Sequence, residues 1–315
     1  MRGVFQSSDA RSFKVCRPLS KRIMQHWELY VLLLPALIVT LVFKYYPLYG
    51  VQLAFKNMKL GQTIESAQWV GWLNFERFFN TGMLERTVRN TLIIGVSVVL
   101  TFPLPLLLAL MLHNCVNRTT KRIAQTVTYI PNLVSIAVTM SIVLLFFGGS
   151  SGFINIFRKS MGMESVYFMG ESNYVRPLYI LSEIWSKTGY NSVIYLAALS
   201  AVNPDLIDAS MIDGCSKLQR IRNIEFPSIA PTIVVLFIMN IGTFFSASTE
   251  KMLLLQTDLN LSASETIGTY TYKLGFTNRQ YGYSAATDLF TNAVNIAVLV
   301  IANSLARRVS DSSLF

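Results

Sequence analysis

The chain has 315 residues, of which 52% are hydrophobic and only 14% are charged, and its net charge is +10. Charged residues make up about 25% of a typical soluble protein, so this composition excludes an ordinary soluble domain and indicates a membrane protein. The positive charge does not predict nucleic-acid binding, because the sequence has no basic patch with interleaved aromatic residues. Three scattered cysteines and two histidines likewise predict no disulfide framework and no metal site.

The first 26 residues are basic and precede an apolar run that begins at Trp27. No small-residue cleavage site follows, and the run continues into aromatic and proline-rich sequence. These features favour a retained first helix over a cleaved signal peptide. We therefore expect residues 1–26 to form a cytoplasmic N-terminal segment.

Six apolar segments are long enough to cross a bilayer as helices of roughly 20 residues. In chain order they are 27–48, 88–113, 123–147, 177–201, 229–249 and 284–305. Pro103, Pro105 and Pro131 fall inside these segments, which indicates a packed bundle, because neighbouring helices must satisfy the freed backbone groups. The sequence therefore predicts an all-α membrane protein with six spans.

The distribution of Lys and Arg predicts the orientation of this bundle. The loops on the N-terminal side of the membrane carry 14 Lys and Arg in 72 residues, whereas the opposite loops carry 12 in 105. Basic residues concentrate in cytoplasmic loops, so both chain ends are expected inside. This topology gives one transmembrane domain over 27–306, a cytoplasmic tail over 307–315, and three cytoplasmic cysteines, Cys16, Cys115 and Cys215.

The loop between the fourth and fifth segments, 203–228, has the pattern of two short helices joined by a bend. Asn203 can cap the first helix and Pro204 suits its first position. Gly214 fits the left-handed residue that ends a helix. Ser216 can cap the second helix, which we expect to end at Pro227.

In that second helix, Leu218, Ile221 and Ile224 are expected to share one face. By itself the pattern leaves two interpretations open, an amphipathic helix lying on lipid headgroups or a docking element for a cytoplasmic protein.

The same loop resembles the EAA loop of permease subunits of binding-protein-dependent ABC importers. Asp208-Ala209-Ser210 stand at the E-A-A positions, Gly214 at the glycine, Ile224 at the isoleucine, and Phe226-Pro227 at Leu-Pro. The spacing matches throughout. The resemblance implies that Asp208, Ala209, Ser210, Gly214, Ile224 and Pro227 couple the chain to an ATPase. We call residues 203–228 the coupling segment.

Further segments resemble permeases that import oligosaccharides derived from polysaccharides. They are Phe43 to Phe55, Trp69 to Phe79, Phe102 to Leu110, and the Ser-Leu-Ala-Arg-Arg stretch near the end. The resemblance implies a maltose-transporter-like type I importer in the bacterial cytoplasmic (inner) membrane. Its expected partners are a second homologous permease, two ATPase subunits, an extracytoplasmic sugar-binding protein and the oligosaccharide. ATP and Mg would be bound by the ATPase, and no cofactor is expected in this chain.

Polar residues inside the spans are candidates for a sugar pathway, since such residues are costly in lipid and usually face a cavity or another helix. The predicted set is Glu183, Trp185, Lys187, Tyr190, Asn191, Asn240, Thr243, Asp288 and Asn292. Glu183 and Lys187 stand four apart and can pair. The alternative is that these side chains hydrogen bond between helices and contact no substrate.

Two other functions compete with that of an ATP-driven importer. A secondary sugar transporter would work without an ATPase, and it would not need the bent cytoplasmic loop. A membrane-embedded enzyme is disfavoured because the sequence has only two histidines, both near the ends of predicted spans, and no metal set. The positive charge of the outer loops would suit an acidic oligosaccharide or, equally, an acidic binding protein.

Overall fold

The computed structural model describes residues 27–242, 244–245 and 248–309. The predictions for residues 1–26, for Thr243 and for the tail beyond residue 309 lie outside the described residues. The described chain falls into two compact units, one ending at Gln52 and the other beginning at Leu53. The first unit contains helix α1, Trp27–Thr40, a π turn over Leu41–Tyr45, and most of a 3-10 segment over Tyr46–Phe55.

Helices form nearly all of the second unit. Two short antiparallel strands, β1 (Lys56–Asn57) and β2 (Gln68–Trp69), pair Lys56 with Trp69. The helices that follow are α2 (Leu73–Phe79), α3 (Met83–Thr101), α4 (Pro103–His113), α5 (Arg118–Leu133), α6 (Ile136–Phe147), α7 (Phe153–Ser160), α8 (Ser172–Ser200), α9 (Pro204–Ile212), α10 (Lys217–Arg220), α11 (Phe226–Ile241), α12 (Thr249–Leu255), α13 (Leu261–Ser264), α14 (Ile267–Tyr272) and α15 (Tyr281–Val309). The predicted all-α class is confirmed.

Most predicted spans correspond to helices of membrane length. Within the described ranges, four helices are long and apolar enough to cross a bilayer: Trp27–Phe55, Met83–His113, Lys217–Ile241 and Tyr281–Leu305. Helices α5 and α6 add a fifth if they count as one bent span. Helix α8 corresponds to the fourth predicted segment and has 29 residues, but it is not in this set. Its middle carries Glu183, Lys187 and Asn191, which make it the most polar of the predicted spans.

Two predicted segments have different shapes from those expected. The third, 123–147, bends by 105° between α5 and α6, just after Pro131. The fifth, 229–249, is wrong at its C-terminal end, because helix α11 stops at Ile241 and a new helix, α12, begins at Thr249 with Ser248 as its cap. Capping by Ser248 supplies an acceptor for a free N–H of the new helix, which favours a fresh start over continuation.

The core of the second unit has two main clusters, and α8 contributes to both. One joins α3, α6, α8 and α12 through buried residues that include Ile94, Met140, Tyr179 and Met252. The other joins α4, α8 and α11 through residues that include Leu106, Ala109, Tyr195, Leu199 and Ile229. Helix α8 thus connects the region of α12 with the region of the coupling segment.

Candidate functional site

The first half of the coupling segment has the predicted bend. The Asn203 side chain accepts a hydrogen bond of 2.9 Å from the backbone N–H of Asp205 at the start of α9. Gly214 follows α9 with φ of 73°, in the left-handed region that a side chain disfavours. Ser216 and Gln219 then form a capping box at the start of α10. The bend is therefore fixed by three local features: two caps and a glycine.

The prediction that Pro227 ends the second helix is wrong. Helix α10 runs into a π turn, Ile221–Glu225, and then directly into α11, in which Pro227 lies in the first turn. The N–H of Phe226 bonds to the carbonyl of Ile221, so the helical path has already changed register before the proline. A proline removes one backbone hydrogen bond from a continuous helix, but Pro227 follows a π turn that already interrupts the regular hydrogen-bond pattern, and the helix continues. The coupling segment is thus continuous with the membrane-length helix Lys217–Ile241.

The coupling segment presents apolar side chains on its outer surface. Leu206, Met211, Ile212 and Leu218 are exposed, Ile212 to 87%. The expected common face of Leu218, Ile221 and Ile224 is wrong for Leu218, because only the two isoleucines pack on the core cluster of α4, α8 and α11. The π turn after Arg220 changes the rotation per residue, so ordinary helical spacing does not hold across it.

The predicted coupling residues occupy both surfaces of the segment. Asp208, Ala209, Gly214 and Pro227 are exposed, and Ile224 is half-buried. Ser210 is buried and donates a hydrogen bond of 2.7 Å to the carbonyl of Ile207. The segment therefore has a buried base and an open outer surface.

A polar cluster ties the base of the coupling segment to the end of α4. Glu225 is fully buried, and Arg220 Nε donates to its Oε1 at 3.0 Å. Asn114, which follows α4, donates from Nδ2 to Glu225 Oε2 at 2.9 Å and accepts a hydrogen bond from Arg220 Nη2. We call Asn114, Arg220 and Glu225 the closed triad. Each member contacts the other two, so hydrogen bonds and an ion pair join the base of the coupling segment to the end of α4.

A cavity of about 310 Å³ lies among α3, α4, α8 and α11. Its walls combine apolar residues with hydroxyl, amide and charged groups. The polar residues among those that line it include Tyr179, Glu183, Lys187, Thr188, Asn191, Asn240 and Ser248. A concave site with an apolar wall and a few polar groups is typical of small-molecule binding.

Beside this cavity, Glu183 pairs with two lysines. Lys187 Nζ lies 2.6 Å from Glu183 Oε2, which is the predicted pair, and Lys251 Nζ lies 2.6 Å from Glu183 Oε1. Lys251 is 2% exposed; its Nζ also contacts Ser186 Oγ at 3.4 Å and lies 5.9 Å from the centre of the Tyr179 ring. The Lys187 side chain, by contrast, is 54% exposed and lines the cavity. We call Glu183, Lys187 and Lys251 the open triad.

The cavity gathers some of the predicted pathway residues and leaves others elsewhere. Glu183, Lys187, Asn191 and Asn240 line it. Asp288 lines a second cavity, of about 340 Å³, and accepts a hydrogen bond of 3.2 Å from Asn292.

Two aromatic residues of α8 from the predicted set, Trp185 and Tyr190, are not among the described residues that line the 310 Å³ cavity. The ring of Tyr190 lies 5.7 Å from that of Tyr129 on α5. The two helices approach closely at Gly189, where an added Cβ would lie 1.9 Å from the Thr128 carbonyl oxygen. Tyr190 thus packs against α5.

Sequence reasoning missed four residues of the two triads: Asn114, Arg220, Glu225 and Lys251. Lys251 comes just after the fifth predicted segment, 229–249, where an outer loop is expected, yet it is buried in the core beside α8. Arg220 and Glu225 stand five apart, about 140° apart around an α-helix, so helical spacing gave no reason to pair them. One signal was present, since Glu225 is an acidic residue among the apolar positions that precede a span and a buried carboxylate needs a partner.

Comparison with known proteins places these features in context. Residues 101–311 match the model of a family described as the binding-protein-dependent transport system inner membrane component. The chain is 35% identical to Protein LplB of Bacillus subtilis over 91% of both chains. It is 36% identical to the polygalacturonan/rhamnogalacturonan transport system permease protein YteP of the same organism, over 93% of this chain and 92% of the relative.

A solved structure has the same fold over nearly the whole chain. One chain of a bacterial ABC transporter involved in the import of the acidic polysaccharide alginate is 33% identical, with a TM-score of 0.84 and coverage of 93% of this chain and 99% of that one. A chain of the alginate transporter in complex with an alginate pentasaccharide-bound periplasmic protein gives a TM-score of 0.85 at 32% identity, over 95% and 100% of the two chains.

Proposed function

Because the chain belongs to the family of inner membrane components of binding-protein-dependent transport systems, we propose that it moves oligosaccharides derived from acidic polysaccharides across the bacterial cytoplasmic membrane. In this role the chain is the non-catalytic transmembrane subunit of an ATP-driven importer. An extracytoplasmic binding protein delivers the saccharide, a second permease completes the pathway, and two ATPase subunits supply the energy. The substrate class is supported by the relatives named for polygalacturonan, rhamnogalacturonan and alginate.

The observation that carries this proposal is the shape of the coupling segment. Its base is packed on the core and fixed by the closed triad, whereas Leu206, Met211, Ile212 and Leu218 are exposed on its outer surface. A row of exposed apolar residues on a firmly held helical pair is suited to docking a partner protein. The sequence has no phosphate-binding loop of the G-x-x-x-x-G-K-[ST] type, so the chemistry of ATP belongs to that partner.

Movement of the docked ATPases would reach the membrane helices through two connections. The coupling segment continues directly into the helix Lys217–Ile241, and the closed triad ties its base to the end of α4. Since the 310 Å³ cavity is walled by α3, α4, α8 and α11, a rigid-body shift of the coupling segment changes the cavity. The saccharide biases the equilibrium only through its different affinity for the inward-open and outward-open states.

The test is a substitution that alters the bend without touching the core. Gly214 has φ of 73° and open space where a Cβ would stand, so Gly214→Asp adds local strain of about 1–2 kcal/mol and a charge on the docking surface. We expect the variant to insert into the membrane normally and to lose ATP-driven uptake. Wild-type uptake would count against the docking role.

Gly61 provides a matched control. It also has a positive φ, 84°, and open space around its Cβ position, but it lies in the turn between β1 and β2. Gly61→Asp should retain uptake, because it carries similar strain outside the coupling segment. Equal loss of uptake in both variants would indicate strain as the cause and would remove the evidence for docking.

A further inference from the structure

Glu183 is shared by two lysines that stand in very different surroundings. Lys251 is held on several sides, by the carboxylate, by Ser186 Oγ and by the ring of Tyr179, and its side chain is 3% exposed. Lys187 contacts the other oxygen of the same carboxylate, and its side chain is 54% exposed at the cavity wall. The two ion pairs are equally short, at 2.6 Å, but only one of the lysines is open to a ligand.

The charges of the open triad do not cancel. One carboxylate and two ammonium groups leave one excess positive charge, and Glu183 and Lys187 are the charged residues among those that line the cavity. An uncompensated charge at the depth of a bilayer is costly and usually marks a ligand or ion pathway. An anionic group entering the cavity would offset this charge, whereas a neutral sugar would not.

We propose that Lys187 binds a carboxylate of the transported saccharide, while Lys251 keeps Glu183 paired during that exchange. The inference rests on the proposed function and adds the residue that distinguishes acidic from neutral substrates. When Lys187 turns from Glu183 to the substrate, Glu183 retains a charged partner at Oε1. No buried carboxylate is left alone, so the exchange avoids the large cost of breaking a buried pair.

A purely structural role for Lys187 would need no second lysine. One lysine is enough to neutralise Glu183, and the buried Lys251 already does so. Lys187 is therefore the source of the excess positive charge at the cavity. Asn191, one turn further along α8 at the same wall, and Asn240 on α11 can contact the hydroxyl groups of the sugar. Lys251 is therefore the lysine that is held in place, and Lys187 is the lysine that is available to a ligand.

The experiment compares charged saccharides with the same saccharides after methyl esterification, which removes the carboxylate charge. The complete transporter is reconstituted in proteoliposomes, and uptake of trigalacturonate and an alginate trisaccharide is measured against their methyl esters at saturating binding protein. The variants are Lys187→Met, which keeps the length of the side chain, and Lys187→Arg, which keeps its charge. Lys273→Met is the matched control, because Lys273 also pairs with a carboxylate, Glu265 at 3.0 Å, but is not among the residues that line the cavity.

We expect the ratio of acid uptake to ester uptake to fall about 10- to 30-fold in Lys187→Met, the value of one charge-assisted hydrogen bond. The ratio should be restored in Lys187→Arg and unchanged in Lys273→Met. An unchanged ratio in Lys187→Met, a loss as large in Lys187→Arg, or an equal fall in the control would each overturn the inference.

Wild-type transport separates this inference from the proposed function. If the wild type takes up the esters as readily as the acids, Lys187 does not recognise a carboxylate of the substrate, and no variant is needed to show it. The importer function would still stand. If the wild-type complex transports no saccharide of either kind, the proposed function itself fails.

Discussion

Two of the buried carboxylates in the described part of the chain, Glu225 and Glu183, have surroundings that differ in a way that separates a structural contact from a binding site. Glu225, in the coupling segment, is fully buried and shares a closed ring with Arg220 and Asn114, whose charges sum to zero. Glu183, beside the cavity, is shared by two lysines with one positive charge left over. In the closed triad each member contacts the other two, whereas in the open triad Lys187 has much of its side chain exposed at the cavity wall.

This difference shows how one helical bundle can be rigid in one place and responsive in another. A neutral, fully paired cluster gains nothing from a ligand and loses much if any member is removed, so it suits the transmission of movement. A cluster with one excess positive charge is suited to binding an anion. Glu183 has two lysine partners and keeps one if the other is removed, whereas Glu225 has one arginine partner. Substitutions of these basic residues measure that difference directly.

The largest loss of stability is expected from Arg220→Met. The substitution leaves the fully buried Glu225 with Asn114 but without a counter-charge, and breaking a buried ion pair in this way costs about 3–5 kcal/mol. We expect a marked drop in the unfolding temperature of the purified protein in detergent, measured by intrinsic fluorescence, and a lower yield from membranes.

Arg222 supplies the control, because it is the same residue type two positions further on and is exposed. Arg222→Met should change stability by less than about 0.5 kcal/mol. If the two arginine variants unfolded at the same temperature, the closed triad would not be what holds the base of the coupling segment to α4.

A smaller loss is expected from Lys251→Met. Glu183 would keep Lys187, so the cost is that of one charge-assisted hydrogen bond, about 2 kcal/mol, and not that of an isolated buried charge. The same unfolding measurement applies. A loss as large as that of Arg220→Met would mean that Lys187 does not sustain Glu183.

The smallest loss is expected from Lys187→Met, since the side chain is half-exposed and Glu183 keeps Lys251. Pairs of this exposure are worth about 0–1 kcal/mol. The double variant Lys187→Met with Lys251→Met should lose more stability than the sum of the two single variants, because only then is Glu183 alone. Strict additivity would show that the two lysines do not substitute for one another.

Local patterns in the sequence predicted features whose causes lie within a few residues. The helix starts at Asn203 and Ser216, the turn at Gly214 and the pair of Glu183 with Lys187 all follow from capping, backbone conformation or helical spacing. The membrane character of the chain followed in the same way from long apolar runs.

Other features depend on contacts between distant parts of the chain or on irregular backbone. Asn114 stands 111 residues before Glu225, and Ser186 stands 65 residues before Lys251, so no local pattern can join them. The π turn at Ile221–Glu225 made the expectation for Pro227 wrong, because a helix of irregular register can pass a proline that would end a regular one. Hydropathy likewise predicts an exposed Lys251, because it scores each residue by itself and takes no account of a partner such as Glu183.

The proposed importer function requires the coupling segment to meet an ATPase on the cytoplasmic side, and the exposed Cys215 reports on this directly. In a variant with Cys16→Ser and Cys115→Ser, an impermeant maleimide should label Cys215 in inside-out vesicles and leave it unlabelled in right-side-out vesicles. Added ATPase subunits should protect it. A variant in which all three native cysteines are replaced and Lys59→Cys stands in the turn between β1 and β2 should label only from the outside and gain no protection. Labelling of Cys215 from the outside, or labelling unaffected by the ATPase, would contradict the account.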